Sequence, residues 1–305
     1  MKANHYNKIA ILLAAFNGEK YLHQQLISIL FQSFKNFDLY ISLDKSNDNS
    51  LNIIKKYAAK DRRIIILKYE GEIFGSSTNN FFRLIDEIPI ENYDYIAFSD
   101  QDDVWMQDKL KVAINFFQNN PNYFGYSSNY ILFSDQKKKF VNKIKHQTKY
   151  DYLFEGGGPG NTYLIKSEVI IFLKKKLKIN QYFKSNFNHH DWLIYAFTRH
   201  FFGSWFIDER AFIFYRQHLE NELGARNSIK SYLKRINFIM SGYAFEQVRL
   251  LFNFLDLKDD NIEKILKKSR KSGFYIILNF YKLRRSFKDK FIIIIIGFIK
   301  LFKII

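Results

Sequence analysis

The chain has 305 residues, including 33 Phe, 20 Tyr and only three Pro, and 47% of its residues are hydrophobic. This composition excludes collagen-like, mucin-like and wholly disordered chains, and the length predicts about two domains with a full core. Because the sequence has no cysteine, a disulfide framework, a thiolate zinc site and a cysteine nucleophile are excluded.

The formal net charge is +17, and most of the excess lies near the C-terminal end. Residues 226–305 contain 18 Lys and Arg against six Asp and Glu. A localised basic surface indicates an anionic partner, either nucleic acid or an anionic membrane; nucleotide bias in the gene also produces Lys-, Asn- and Ile-rich chains. The first apolar run, Ile9–Phe16, lacks the cleavage site of a signal peptide. No segment reaches the roughly 20 apolar residues of a membrane span.

Residues 8–110 alternate between strand and helix patterns. Strands are predicted at Lys8–Ala15, Phe37–Leu43, Arg63–Tyr69 and Tyr93–Ser99, with helices around Leu22–Leu30, at Asp48–Ala59 and at Thr78–Glu87. Lys8–Ala15 is a continuous apolar run, as expected of a strand buried on both faces. The alternation predicts an α/β fold with a mostly parallel sheet. In such sheets ligands bind beyond the carboxyl ends of the strands.

Residues 104–225 mix the two patterns, and the chain beyond them is helical. A helix is predicted at Gln107–Asn119, a strand at Phe124–Phe133, a glycine-rich loop at Glu155–Gly160, a helix at Asp191–Phe202, and short strands near Trp205–Ile207 and Phe212–Tyr215. From residue 226 the pattern is basic and shows no strand alternation. We therefore predict one domain over residues 1–225 and a basic, amphipathic helical region over residues 226–305.

The densest chemical signal is the sequence FSDQDDVW at Phe98–Trp105, which follows an apolar strand. Adjacent carboxylates repel one another, and a cation stabilises them when they are held together. Asp100 and Asp102 are spaced to present oxygens to Mg²⁺ or Mn²⁺, ions that prefer one or two carboxylates plus substrate phosphates. The alternative is an acidic surface turn that caps the next helix.

Two weaker signals follow the first and second strands. Asp44, at the end of a predicted strand, suits hydrogen bonding to a nucleobase or a ribose hydroxyl, although a polar turn that caps a helix explains the same pattern. The small residues of Ala14–Gly18 would let a nucleotide lie close to the backbone.

Two further motifs carry His beside other polar groups. In His189–Trp192, Asp191 is either a helix cap or a general base at the rim of a cleft. In Tyr215–His218, the pair Arg216 and His218 suits a diphosphate or a metal, and an exposed strand end is the alternative.

In combination these motifs resemble family 2 glycosyltransferases of the GT-A fold, over about residues 8–222. The resemblance depends on the order and spacing of Ala15–Gly18, Asp44–Asp48, Ser99–Trp105, Gly156–Asn161, His190–Trp192 and Tyr215–His218. The acidic motif paired with YRQH is similar to bacterial rhamnosyltransferases and related surface-polysaccharide transferases. There is one departure: a single acidic residue, Asp44, stands where the family usually has two. The Gln-x-x-Arg-Trp motif of processive family members is absent, which favours the addition of one or a few sugars.

The resemblance implies inverting transfer of one or a few sugars from a dTDP-, UDP- or GDP-linked donor to a saccharide or lipid-linked acceptor. It implies the following roles: Asp191 as the base, with Glu155 as the alternative; Ala15, Asn17, Asp44, Asp100 and Arg216 in donor binding; Asp102 and His218 as ligands of Mg²⁺ or Mn²⁺; and Gly157, Gly158, His190 and Trp192 in acceptor binding.

Other enzyme classes and other partners are alternatives to this interpretation. A nucleotidyltransferase has a similar fold and also uses carboxylates and metal. A dinucleotide-dependent oxidoreductase would carry Gly-x-Gly-x-x-Gly after the first strand, which Ala14–Gly18 lacks. Nucleic-acid binding is not expected, because no RRM, zinc or helix-turn-helix signature is evident.

The C-terminal region contains two apolar stretches, Phe274–Tyr281 and Phe291–Ile299, next to Lys and Arg. Such stretches are typical of helices that lie in a membrane interface. We predict a cytoplasmic protein bound peripherally to the inner face of the membrane; the alternative is that these helices pack on the catalytic domain.

Overall fold

The computed structural model describes residues 7–134, 137–218 and 241–302. The chain divides into two compact units. The first comprises Met1–Ile144, Gly157–Ile179 and Asn188–Gln217, and the second comprises Lys145–Gly156, Asn180–Phe187 and His218–Ile305. The predicted boundary near residue 225 lies outside the described residues. The second unit also includes two earlier segments that the sequence pattern did not indicate.

The described strands all lie in the first unit. They are β1 (Ile9–Ala15), β2 (Phe37–Leu43), β3 (Ile64–Ile66), β4 (Tyr95–Ser99), β5 (Val104–Trp105), β6 (Gly125–Phe133), β7 (Lys138–Val141), β8 (Leu164–Lys166) and β9 (Trp205–Arg216). They form one sheet in the order β3-β2-β1-β4-β8-β6-β9-β5, and β7 pairs with β6.

Helices accompany the sheet in the first unit, and helices also make up most of the second unit. They are α1 (Glu19–Leu30), α2 (Ser50–Ala58), α3 (Ser77–Glu87), α4 (Lys109–Asn119), α5 (Asp151–Phe154), α6 (Ser167–Ile179), α7 (Gln181–Asn186), α8 (His190–Phe201), α9 (Tyr243–Phe254), α10 (Asp260–Leu266), α11 (Lys271–Leu283) and α12 (Phe287–Phe302). Two 3-10 turns, Ile90–Asn92 and Gly160–Thr162, complete the described elements.

The sheet is parallel where the βα alternation is strongest. β1 pairs in parallel with both β2 and β4, and β2 pairs in parallel with β3. All seven residues of β1 are buried, as expected of a central strand covered by helices on both faces. Beyond β4 the sheet becomes mixed, because β8 joins β4 in an antiparallel arrangement. The predicted α/β fold is confirmed, and the described part of the region from residue 226 is helical as predicted.

Several boundaries differ from the predictions. The strand predicted at Arg63–Tyr69 contains only Ile64–Ile66. The two short strands predicted near residues 205 and 212 are one strand, β9, whose pairing with β6 is irregular around Ser128 and Asn129. The polar stretch that separated them in the sequence contains Asp208, which is buried and bonded to Tyr126 Oη at 2.9 Å. A bulge therefore explains why the apolar alternation breaks there.

None of the described helices is long and apolar enough to cross a membrane.

Candidate active site

The carboxyl ends of β1, β2 and β4 lie side by side. Ala15 pairs with Leu43, and Leu13 pairs with Ser99. The backbone N–H of Asp44 donates to the carbonyl of Ala15 at 2.8 Å. Ala15 is itself buried, so it contributes its backbone to this edge of the sheet. The loops that leave these strands carry three of the motifs singled out in the sequence.

The loop after β1 is fastened to the loop after β2. Asn17 adopts a left-handed conformation, with φ of 45°, and such a conformation suits Asn better than most residues. Its backbone N–H donates to Ser46 Oγ at 3.0 Å, and its Oδ1 accepts from the N–H of Asn47 at 2.9 Å. Gly18 N–H donates to Ser50 Oγ at 2.8 Å. Asn17 therefore shapes the loop through its side chain.

Gln101 joins the acidic motif to the same loop. Its Nε2 donates to the carbonyl of Phe16, and its Oε1 accepts from the N–H of Phe16, each at 2.7 Å. A Cβ on Gly18 would lie 2.4 Å from that Oε1, so only glycine leaves room for the reciprocal bond. The sequence pattern did not indicate a role for Gln101.

Asp44 is 5% exposed, and backbone groups surround its carboxylate. Oδ1 accepts from Lys45 N–H at 2.8 Å and from Phe74 N–H at 3.0 Å, and Oδ2 accepts from Gly75 N–H at 3.1 Å. Gly75 has φ of 74°, a conformation that favours glycine. Asp44 thus fixes the loop before α3, and its predicted contact with a nucleobase stays a prediction.

Asp103 is the buried member of the acidic motif, whereas Asp100 and Asp102 are half-buried. Its Oδ1 accepts from the backbone N–H of Arg216 at 3.0 Å, and its Oδ2 accepts from Asn161 Nδ2. Burial raises the pKa of Asp103 well above its usual range, and the charges of Asp102 and Asp100 add to that effect. Asp103 therefore holds together the acidic turn, the glycine-rich loop and the end of β9.

Arg216 lies beside the acidic turn, as the sequence motif implied. Its Nε donates to the carbonyl of Asp102 at 2.8 Å, and its Nη2 donates to Gln24 Oε1. The guanidinium carbon stands 4.6 Å from the ring centre of Tyr21 and 4.4 Å from that of Phe133. Contact with two aromatic rings orients the planar group and stabilises its charge. A positive group is thus held next to Asp100 and Asp102, where a diphosphate is expected.

Lys109, at the start of α4, is 2% exposed. Its Nζ lies 3.7 Å from the ring centre of Trp105. Burial lowers the pKa of Lys109 to about 7, and the nearby charge of Asp103 partly opposes this. A buried, weakly basic lysine beneath the acidic turn is a feature that the sequence pattern did not indicate, because a Lys in the first turn of a helix is ordinarily solvated.

The glycine-rich loop is packed tightly against the sheet and α8. A Cβ on Gly157 would lie 2.7 Å from the Tyr195 ring and 2.9 Å from the Trp205 ring. The Gly157 carbonyl accepts from Ser127 Oγ at 2.9 Å. Gly158 has φ of 133°, and its carbonyl accepts from Tyr163 Oη at 2.8 Å. These contacts give both glycines a packing role in addition to the acceptor-binding role predicted for them.

Asp191 lies in the first turn of α8 and is half-buried. Its Oδ1 accepts from the N–H of Trp192 at 2.7 Å. The His190 ring lies 4.1 Å from the Phe81 ring. A Cβ on Gly160 would lie 3.0 Å from His190 Nε2 and 3.2 Å from Asp191 Cβ. Gly160 thus lies against Asp191, the predicted base, and the next residue, Asn161, donates to Asp103 of the acidic turn.

The donor set of the acidic turn fits a hard divalent cation that is shared with substrate. Both oxygens of Asp103 accept hydrogen bonds from protein, whereas Asp100 and Asp102 are half-buried, and the sequence motif predicts these two as the cation ligands. Among the described residues no three His, Asp or Glu side chains gather as metal ligands. Mg²⁺ is typically held by one or two carboxylates together with substrate phosphates, so Asp102 suits this role. His218 belongs to the second unit, two residues after β9.

Glu155, the alternative base, also belongs to the second unit. Its Oε1 accepts from Arg285 N–H at 2.6 Å and lies 3.3 Å from Arg285 Nε. Arg285 is buried and also approaches Asp151 at 3.5 Å. Because this contact engages the Glu155 carboxylate, we keep Asp191 as the proposed base.

Comparison with known proteins identifies the class of enzyme. The model of glycosyl transferase family 2 matches residues 10–191. The dTDP-rhamnosyl transferase RfbG of Shigella flexneri is 38% identical over 292 residues, which cover 95% of this chain and 100% of RfbG. The chain therefore belongs to glycosyl transferase family 2 and is a nucleotide-sugar glycosyltransferase. The nucleotidyltransferase and oxidoreductase alternatives are set aside.

A more distant relative and two solved structures are also similar. The UDP-Glc:alpha-D-GlcNAc-diphosphoundecaprenol beta-1,3-glucosyltransferase WfaP of Escherichia coli is 32% identical over 123 residues, 40% of this chain and 46% of WfaP. TarS 1–349 of S. aureus has a TM-score of 0.59 at 14% identity, over 96% of this chain and 80% of that chain. Its complex with UDP gives a TM-score of 0.56 at 17% identity, over 90% and 72%. These structures share the fold of this chain and confirm its predicted GT-A class.

Proposed function

We propose that this chain is an inverting, metal-dependent rhamnosyltransferase that uses dTDP-rhamnose to extend a cell-surface polysaccharide. The observation that carries the donor assignment is the similarity to the dTDP-rhamnosyl transferase RfbG, which extends over the whole of that relative. The proposal is supported by a site in which an acidic turn and an oriented arginine lie at strand ends, and by the half-buried Asp191 at the start of α8.

Asp191 acts as the general base in this proposal. It takes the proton from an acceptor hydroxyl while that oxygen attacks the anomeric carbon on the face opposite the leaving group. The new carbon–oxygen bond forms as the bond to the nucleoside diphosphate breaks, which inverts the anomeric configuration. No carboxylic acid is needed to protonate the leaving group, because a diphosphate departs readily; a glycosidase needs such an acid.

Asp102, with Asp100 beside it, would hold the Mg²⁺ or Mn²⁺; the prediction of His218 as a further ligand comes from the sequence motif alone. When bound, the cation supplies positive charge against the diphosphate. Arg216 contributes a fixed positive charge at the same turn, oriented by Tyr21 and Phe133. Asn17 and the backbone of Ala15 are proposed to contact the nucleotide, and Asp44 is proposed to accept a hydrogen bond from its base or its ribose.

The acceptor is proposed to be a saccharide, either free or linked to a lipid. WfaP acts on a sugar carried by diphosphoundecaprenol, as its name states. His190, Trp192 and the loop at Gly157 and Gly158 are proposed to contact the acceptor. A lipid-linked acceptor requires the enzyme to work at a bilayer surface, so we place the protein peripherally on the inner face of the membrane. The absence of the processive motif favours the addition of one or a few sugars.

A donor panel tests this function. Saturation binding of dTDP-rhamnose, UDP-glucose, UDP-GlcNAc and GDP-mannose is measured on the full chain, with Mn²⁺ and with a chelator. We expect dTDP-rhamnose to bind most tightly and to lose affinity when the metal is removed. Preferential binding of a UDP- or GDP-sugar would overturn the donor assignment, and equal affinity with chelator would overturn the metal dependence.

A further inference from the structure

The last two helices of the chain turn apolar side chains to solvent. Phe274, Leu278 and Tyr281 recur on α11 at spacings of four and three residues, which places them on one side of that helix. On α12 the same kind of spacing relates Phe287, Phe291, Ile295, Phe298 and Phe302. These eight side chains are 44–85% exposed, and we refer to them as the apolar face.

The binary pattern of α12 is the reverse of that of a surface helix. Its exposed positions are all apolar apart from Lys288, whereas Lys300 is fully buried. A helix packed on a soluble core directs its apolar stripe inward and charged residues outward. Exposed apolar surface of this extent marks an interaction site. The packing of α12 within its own unit therefore does not explain why its exposed side is apolar as well.

α11 and α12 are pressed together at two glycines. A Cβ on Gly273 would lie 2.3 Å from the carbonyl of Gly297, and a Cβ on Gly297 would lie 3.0 Å from the carbonyl of Gly273. Only a three-residue connection, 284–286, separates the helices. Close backbone contact fixes the two exposed stripes relative to each other, so the apolar face is part of a rigid hairpin.

Basic residues accompany the apolar face. Residues 271–302 contain seven Lys and Arg and one acidic residue, Asp289. Lys271 and Lys288 are exposed, and Lys282, Arg284 and Lys290 are half-buried. The Lys282 Nζ lies 5.2 Å from the ring of Tyr281. Aromatic and aliphatic side chains combined with Lys and Arg are typical of helices that lie flat in the interface of an anionic membrane.

The charge decides between a bilayer and a second copy of the chain as the occupant of this face. Two copies meeting through their apolar faces would bring two basic hairpins together, and like charges destabilise such a contact. An anionic leaflet offers both an apolar interior and a complementary charge. α12 has 16 residues, or about 24 Å at the usual helical rise, which is shorter than a hydrocarbon core of roughly 30 Å. An in-plane position fits this length.

We propose that the apolar face of α11 and α12 inserts into the headgroup boundary of an anionic bilayer, with the neighbouring Lys and Arg contacting lipid phosphates. This inference deepens the peripheral location given under the proposed function. It rests on the packing, exposure and charge of this hairpin.

Co-flotation of the full chain with vesicles tests the proposal. Vesicles of equimolar phosphatidylcholine and phosphatidylglycerol are compared with pure phosphatidylcholine vesicles, at low and high salt. We expect the unmodified protein to float with the anionic vesicles, and less so at high salt. Phe291→Glu with Phe298→Glu should reduce the bound fraction about tenfold or more, because charged groups do not enter the apolar boundary.

The matched control is Phe140→Glu with Ile179→Glu, which makes the same charge change at two exposed apolar positions of the first unit. The control should float like the unmodified protein. An equal loss of vesicle binding in both variants would show that net charge alone explains the effect, and it would overturn the proposal. Should the first pair fail to fold by circular dichroism, Phe287→Ser with Phe302→Ser, at the two ends of α12, replaces it with the same expectation.

Light scattering without vesicles tests the other occupant. The unmodified protein could prove to be a dimer that does not float with vesicles. If Phe291→Glu with Phe298→Glu then converts this dimer to a monomer, the apolar face belongs to a second copy, and the proposal is overturned. Donor binding measured on the same variant separates the two proposals. Retained donor binding with no flotation of any form counts against the membrane face alone, whereas flotation without dTDP-rhamnose binding counts against the proposed donor alone.

Discussion

The carboxylate of Asp103 accepts a hydrogen bond from the backbone N–H of Arg216, 113 residues further along the chain, at 3.0 Å. The other carboxylate oxygen accepts from Asn161. Both oxygens of a fully buried acid are therefore used to join three segments, whereas the half-buried Asp102 is the residue that we propose for the cation. Because Asp102 and Asp103 have these different contacts, we expect their variants to have different effects.

Asp103→Asn should destabilise the fold, whereas Asp102→Asn should not. In Asp103→Asn, the side-chain NH2 group faces either the Arg216 N–H or Asn161 Nδ2, and that donor loses its acceptor. An unsatisfied buried polar group costs about 1–3 kcal/mol. Half-buried Asp102 should change the free energy of unfolding by less than about 0.5 kcal/mol. Urea denaturation of the three proteins measures this. Equal stability of Asp103→Asn and the unmodified chain would contradict the joining role.

Asp102→Ala should abolish the metal dependence of donor binding, and Asp100→Ala should weaken it less. In the proposed site, removal of the Asp102 carboxylate takes the cation away from the diphosphate, whereas the charge of Arg216 stays. Isothermal titration with dTDP-rhamnose, with and without Mn²⁺, measures the effect, and circular dichroism controls for folding. Unchanged affinity and metal response in Asp102→Ala would exclude it as a ligand.

Lys109→Met should flatten part of the pH dependence of stability. Burial lowers the pKa of Lys109 from 10.5 to about 7. Between these values the unfolded chain binds a proton that the folded chain does not, so the free energy of unfolding of the unmodified protein rises with pH across that window. The variant lacks this gain. Its stability relative to the unmodified protein should therefore fall by about 1–3 kcal/mol between about pH 7 and pH 9.5.

Lys111→Met is the matched control for Lys109→Met, because Lys111 is exposed on the same helix. Its stability relative to the unmodified chain should stay constant over the same pH range. The opposite slope in Lys109→Met, or none, would show that Lys109 keeps its proton in the folded protein.

Alanine at two positions of the glycine-rich loop should have different effects. Gly157→Ala places a methyl group against the Tyr195 and Trp205 rings, and overpacking of this kind costs about 1–3 kcal/mol of stability. Gly160→Ala instead presses on His190 and Asp191, so it should reduce turnover more than stability. Thermal unfolding together with initial rates checks this. Full activity of Gly160→Ala would mean that His190 and Asp191 can shift to make room for the methyl group without loss of turnover.

Elements with strong local patterns were predictable from sequence. β2 has the predicted bounds, and β1 begins one residue later than predicted, because uninterrupted apolar runs between polar turns indicate buried strands. β5 and β8 have two and three residues and carry no periodicity of their own; distant partners in the sheet define them. Distant partners also define the bulged strand β9. Its polar residue Asp208 accepts hydrogen bonds from Tyr126 Oη and Arg210 Nε.

The candidate site shows the same limit. The motifs placed Asp100, Asp102 and Arg216 at strand ends, and the structure brings them to one turn. The roles of Asp103, Gln101 and Asn161 follow from contacts across 58 to 113 residues, which no local pattern encodes. Lys109 was missed for a related reason: its burial results from the packing of Trp105 over it.

The most direct test of the central claim is the turnover of Asp191→Asn, because this change keeps size and hydrogen bonding but removes the proton acceptor. Rhamnosyl transfer from dTDP-rhamnose to a lipid-linked saccharide is measured alongside the dissociation constant for the donor. We predict a loss of about 10²–10⁴-fold in kcat, typical of a missing general base, with donor affinity changed by no more than a few-fold. Turnover within a few-fold of the unmodified enzyme would contradict the assignment of Asp191 as the base.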